Sequence, residues 1–205
     1  MSKERPKDSF DPYSYVEKLI KTGQELVLRP QSFFKNMPTK GGYGQPLLFS
    51  MTIFFIVLAY NIALIASGLP YPSGQGTADR PITETLTRVP MLGIVWVLGL
   101  FLGALILHGA FKLLKGKGNY EATFRIFAYS SIANLLTIIP SVGQYMSSIY
   151  TLLLIMFGGR YIHGLSTGRA ITAPILPALL LWGVLMGLIL AGVVSVDKLA
   201  ALLKQ

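Results

Sequence analysis

Four long apolar runs alternate with short polar gaps along the chain. They cover about Pro46 to Ser67, Val89 to Phe111, Ile126 to Gly159 and Ile171 to Val194. A hydrocarbon core ~30 Å thick is crossed by about 20 helical residues. Three of the runs therefore have the length of one membrane span. The third does not. From Ile126 to Gly159 it carries no charge, yet its middle, "NLLTIIPSVGQYMSS", holds a proline, a glycine and several polar residues.

As a single helix that run would be roughly 50 Å long at 1.5 Å per residue. It fits two short spans if the chain turns at Pro140-Ser141-Val142-Gly143. Pro140 breaks the helix, and Gly143 accepts a turn conformation. Ser141, Gln144 and Tyr145 suit the interface beyond. Drawing the first half back through Glu121 gives it enough length, with Arg125 snorkelling and paired to Glu121 at i,i+4. A re-entrant loop is the other reading of this stretch, with Asn134, Thr137 and Pro140 marking broken backbone.

Ahead of the first run the pattern changes to a helical stripe. Asp11-Pro12 has the form of an N-cap with proline at the first helical position, and Arg29-Pro30 closes the segment. Tyr13, Val16, Ile20 and Val27 share one face, with Leu19 and Leu26 beside them. This predicts an amphipathic helix, lying on the bilayer surface or docked on the membrane domain. In "PQSFFKNMP", Phe33 and Phe34 suit an interface and Lys35 the headgroups. In the last run, Pro174 and Pro177 fall in or near the first turns, where a missing amide donor costs least.

Charge sets the orientation. The chain is 52% hydrophobic and 13% charged, where a soluble domain carries about 25%. Its net charge of +9 follows membrane topology, and no nucleic-acid motif accompanies it, so a nucleic-acid partner is excluded. Lys3, Arg5, Lys7, Lys18, Lys21, Arg29, Lys35 and Lys40 precede the first span. Lys112, Lys115 and Lys117 precede the third run, while Arg160 and Arg169 follow it. Cytoplasmic loops collect Lys and Arg. Only a third run that crosses twice puts all these clusters on one side. The prediction is an all-α, polytopic membrane protein with five transmembrane helices, the third and fourth forming a short hairpin. Residues 1–45 form a cytoplasmic segment with the amphipathic helix, 46–194 the membrane domain, and 195–205 a short tail. The N-terminus is expected in the cytoplasm and the C-terminus outside. The first ~45 residues lack an apolar h-region, so no cleavable signal peptide is expected.

Candidate chemistry is sparse. The chain has no Cys, which excludes thiolate metal sites and disulfides. "GLSTG", Gly164 to Gly168, matches G-x-S-x-G, but a nucleophile elbow needs a strand before it and a His after it. Neither is present, and Ser166 reads as a turn residue. His108 and His163 fall near the same ends of their spans and can approach each other. Two His without carboxylates make a poor metal site. Asn61, Ser130, Ser131, Asn134, Thr137, Ser147 and Ser148 read as interhelical hydrogen-bond partners, or else as a polar path for a substrate. No catalytic residue, metal ligand or cofactor site is predicted. Gly99-x-x-x-Gly103 and Gly183-x-x-x-Gly187 are the better signals, for close helix packing within one subunit or in a dimer. Leucine at Gly103 or Gly187 is expected to disturb packing, whereas Ser166→Ala and His163→Ala are expected to be nearly neutral.

"RPQSFFKNMP", "GNYEATFRIFAYSSIANLLTIIPSVGQYMSSIYTLLLIMFGGRYIHGLSTGRA" and the five-span layout resemble the Yip-domain family, the Rab/Ypt-interacting integral membrane proteins, from about Pro30 to Val194. The eukaryotic DLYGP-type signature is absent and "FAYS" stands near the family's GY element. That argues against direct binding of a Rab-type GTPase and for a bacterial-type member in the cytoplasmic (inner) membrane. The resemblance implies a scaffold or partner-binding protein without enzymatic activity, in membrane organisation or trafficking. Its partners would be the lipid bilayer and a protein partner or a second copy of itself. A small transporter or lipid-handling protein with a polar groove between spans is the alternative.

Overall fold

A computed structural model describes residues 12–68 and 82–180, together with Gly183 and Gly187. All regular structure among them is helical: α1 (Pro12–Leu28), α2 (Pro30–Asn36), α3 (Gly44–Ala66), α4 (Ile82–Leu113), α5 (Tyr120–Ser130), a 3₁₀ segment (Ser131–Ile138), α6 (Gly143–Tyr161) and α7 (Thr167–Thr172). The predicted cap Asp11, the loop at 69–81 and the tail at 195–205 lie outside the described residues.

Among the described residues, two helices are long and apolar enough to cross a membrane, Gly44–Ala66 and Leu86–Leu113. Only 22% and 17% of their apolar windows are buried within the protein. Ile94, Val95, Leu98 and Leu102 of α4 are all more than half exposed. A contiguous apolar face this exposed suits a lipid surround. The helix α4 starts earlier than the apolar run does, taking in the polar residues from Ile82 and running through Pro90.

After α5 the backbone tightens into eight residues of 3₁₀ helix. Rise there is ~2.0 Å per residue instead of ~1.5 Å, so Tyr120 to Ile138 reaches about 32 Å rather than about 28 Å. The break follows at residues 139–142. Pro140 ends the helical run as expected, but the left-handed residue is Ser141, at φ +64°. Gly143 is the first residue of α6, and it is needed for a different reason: a Cβ there would collide with the Leu136 carbonyl oxygen. Near the C-terminal end, α7 stops at Thr172, residues 173–175 turn, and helix resumes at 176. A single helix from Ile171 is thus interrupted at Pro174, which has no amide N–H to donate to the preceding turn.

The core gathers α2, α3, α4, α5 and α6. Phe34, Phe49, Phe111, Ile126 and Leu154 are buried at its centre. Gly158 and Gly159 let α6 approach its neighbours, because added Cβ atoms would meet Ile126 and Phe111. Helix α1 docks through Leu26, which is fully buried, with Leu19 packed against the core. Tyr13, Val16, Ile20 and Val27, the predicted apolar stripe, stay exposed.

Candidate functional site at the basic end of the bundle

The ends of α4 and α6, the start of α5 and the loop before α3 converge. The Lys117 amide donates to the His163 carbonyl at 2.9 Å, tying the α4–α5 connection to the end of α6. Asn119 caps α5, its side-chain oxygen accepting from the Ala122 amide at 2.9 Å. This convergence places Lys112, Lys115, Lys117, Arg160 and Arg169 at one end of the bundle. Lys35 and Lys40 join them on α2 and the loop that follows it.

At the centre of that end is a buried polar cluster. His108 Nδ1 lies 2.8 Å from Thr123 Oγ1, and His163 Nε2 lies 3.0 Å from the same oxygen. The Thr123 hydroxyl donates to the Asn119 carbonyl at 3.2 Å. With its only proton used there, it accepts an N–H from each imidazole, His108 Nδ1 and His163 Nε2. His163 Nδ1 is fully buried and without a hydrogen-bond partner, so a proton there would go unpaired and burial keeps the ring neutral with its one proton on Nε2. It faces Gly116 and Gly118, where added Cβ atoms would fall 3.1 Å and 2.8 Å from it. The Phe111 ring covers the imidazole at 4.3 Å between centroids. Burial, with His108 and Lys112 nearby, pulls the His163 pKa down to about 4. The two histidines do approach, at 6.0 Å between ring centroids. They meet over a threonine, as a packed structural joint. His163→Ala, expected from sequence to be nearly neutral, should instead cost stability, because it empties a filled site.

The second element is a clamp on the loop before α3. Glu121 Oε1 accepts from the Gly42 amide at 2.6 Å, and Arg125 Nη2 donates to the Gly42 carbonyl at 3.1 Å. The two side chains pair at 3.7 Å, as their i,i+4 spacing predicts. Arg125 does not snorkel. It is 2% exposed and turns inward, because the Gly42 peptide supplies a partner within reach. Gly41 has φ +124°, and a Cβ there would sit 3.0 Å from Arg125 Nη2. Tyr43 then packs edge-on against Phe124 at 5.1 Å.

The other predicted residues divide. Phe34 is 1% exposed, and Phe33 packs on Phe34 and Tyr129, so these rings hold α2 to the bundle. A buried Phe34 is not available as an interfacial anchor; Lys35 alone of the three is exposed. Gly103 is in close contact, 2.7 Å from Phe127 to an added Cβ, whereas Gly99, Gly183 and Gly187 have no neighbour at that position among the described residues. Ser166 stands immediately before α7, after Gly164 at φ +66°. The small polar residues mostly bond within their own helices: Asn61 to the Val57 carbonyl, Ser130 to Ile126, Ser148 to Gln144. Among them only Ser147 reaches across, to Asn134 at 3.4 Å. Cross-element bonds come instead from aromatic side chains that the sequence pattern did not single out. Tyr15 meets Thr52, Tyr60 donates to the Ile138 carbonyl, Tyr120 to Phe101 and Tyr150 to Leu26. A tyrosine in an apolar helix is itself the signal, since its hydroxyl needs a partner once buried.

No curated protein and no solved structure matches the chain. The family model of the Yip1 domain matches residues 25–190, from the end of α1 past Gly187. With its lipid-facing helices and its joined basic end, the chain is a membrane protein belonging to the Yip1 domain family.

Proposed function

We propose that the protein is a non-enzymatic membrane scaffold that presents its basic end to the cytoplasm and assembles with a protein partner or a second copy through open helix faces. Five spans are proposed: α3, α4, the α5–3₁₀ pair, α6 and the segment from residue 176 onward. Residues 1–45 would be the segment on the cytoplasmic side, with α1 laid into the facing leaflet against the bundle, 46–194 the membrane domain and 195–205 the outer tail, with a bacterial cytoplasmic membrane as the setting. The observation that carries the scaffold reading is what the polar residues do. His108, His163, Glu121 and Arg125 are occupied in joining α4, α5, α6 and the loop before α3. The helix hydroxyls satisfy their own backbones. Little is left over for a polar substrate path, which weighs against the transporter alternative.

Assembly is the property to test. Gly99, Gly183 and Gly187 meet nothing among the described residues, so leucine fits there unless another protein packs on the glycine. Gly99→Leu and Gly187→Leu should leave thermal stability unchanged but shift the oligomer or complex to a smaller size in mild detergent. Unchanged assembly in both, together with solute flux into vesicles that Asn134→Ala abolishes, would replace the scaffold reading with the transporter one.

A further inference from the structure

Under α1 runs an apolar groove of about 420 Å³ between α1, α3 and the 3₁₀ segment. Ile20, Gly23 and Val27 form one wall, Ile53 and Ile56 another, and Leu135 the third; Gln24 is the polar side chain along it. The size lies in the range of ~300–1,000 Å³ typical of ligand clefts. Gly23 keeps it open. A glycine inside a helix costs about 1 kcal/mol relative to alanine, and a Cβ here would make only ordinary contact, 3.6 Å from Ile132. Sterics do not demand the glycine, so a larger side chain would project into the groove.

Two facts identify the occupant. The first is depth. Helix α3 starts at Gly44, beside the clamped Gly42 at the basic end. At 1.5 Å per residue, Phe49 lies about 8 Å and Ile56 about 18 Å from that start. Half of a hydrocarbon core is ~15 Å. The groove therefore sits among the acyl chains of the leaflet whose headgroups surround the basic end. The second is charge. Lys35, Lys40, Lys112, Lys115, Lys117, Arg160 and Arg169 gather at that end. The acid there, Glu121, is already held by Gly42 and Arg125. On α1 itself, exposed Lys21 is three and seven residues before the groove-lining Gln24 and Leu28, on the same face, with Glu17 and Glu25 flanking it.

We infer that the groove between α1, α3 and the 3₁₀ segment holds an acyl chain of an anionic phospholipid, whose headgroup meets the cations of the basic end. The inference rests on the proposed spans. Cysteine labelling at Ser141 tests those spans and does not read lipid, so the two can fail separately.

The test is native mass spectrometry of the full chain released from mild detergent carrying equal phosphatidylglycerol and phosphatidylcholine. Wild type should retain one phospholipid per chain, phosphatidylglycerol over phosphatidylcholine by at least fivefold. Gly23→Leu fills the groove from α1 and Ile56→Trp from α3. Each should cut retention at least tenfold at unchanged thermal stability, and either suffices if the other fails to fold. Gly93→Leu, on α4 where an added side chain meets open space, should retain lipid as wild type does. Four results would overturn the inference: no retained lipid, equal retention of phosphatidylcholine, retention unchanged in the filled variants, or a lipid-free dimer that the filled variants break.

Discussion

At Gly143 the constraint is space, and at Ser141, two residues earlier, it is backbone conformation. A side chain at 143 would press on the Leu136 carbonyl, a backbone atom that cannot swing aside. Gly143→Ala should therefore lower stability by about 1–3 kcal/mol. Ser141 holds φ +64°, which an L side chain adopts at a cost. Ser141→Gly should be neutral or raise stability by up to ~1 kcal/mol. Thermal unfolding in one detergent checks both, and equal losses would show that the turn is held by other means. His163 supplies a second residue-scale test. In the unfolded chain it takes a proton below about pH 6.5, whereas in the fold it resists down to about 4. Between those values the unfolded state binds more protons, so stability falls as pH falls through that window. The slope should reach about 1 kcal/mol per pH unit, and His163→Gln should flatten it. The proline and the break were legible in the sequence. The exchange of roles between Ser141 and Gly143 was not, because it depends on how closely α6 starts against the 3₁₀ segment.

Helix α1 separates what periodicity reveals from what it cannot. The 3.6-residue stripe and the proline at the start locate the helix at Pro12–Leu28. Which rim of the stripe docks is settled by partners far along the chain. Tyr150 donates to the Leu26 carbonyl at 2.7 Å, and the groove residues of α3 and the 3₁₀ segment lie under Ile20 and Val27. So Leu26 is buried while Val27 is 54% exposed. Leu26→Ala should cost about 2–5 kcal/mol and speed tryptic cleavage at Lys21 and Arg29, whereas Val27→Ala should do neither. Equal cleavage rates in the two variants would mean that α1 is not held by Leu26. The glycine motifs divide in the same way. Spacing identifies Gly99 and Gly103 as a pair, but among the described residues only Gly103 has a neighbour at that position, the Phe127 ring. Gly103→Leu should destabilise the monomer by roughly 1–3 kcal/mol, and Gly99→Leu should not. The close-packed Gly158 and Gly159 stand side by side, outside any four-residue pattern, and were missed for that reason.

For the whole molecule, sidedness is the property on which the number of spans depends. Composition and run lengths led to an all-α membrane protein, and the Yip1 domain match and the lipid-facing α3 and α4 agree with it. The number of crossings rests on the break after the 3₁₀ segment and on cations gathered at one end. Lys115 and Ser166 belong to connections that meet there, through the bond between Lys117 and His163. Ser141 sits in the turn at the other end of α5 and α6. Because the native chain has no Cys, single cysteines report sidedness without background. The decisive measurement is labelling of intact cells with a membrane-impermeant maleimide, on variants Ser141→Cys, Lys115→Cys and Ser166→Cys. The account predicts labelling at 141 and none at 115 or 166 until the membrane is opened. Labelling at 166 with none at 141 would mean that α5, the 3₁₀ segment and α6 do not cross as two spans, and the five-span account would be wrong.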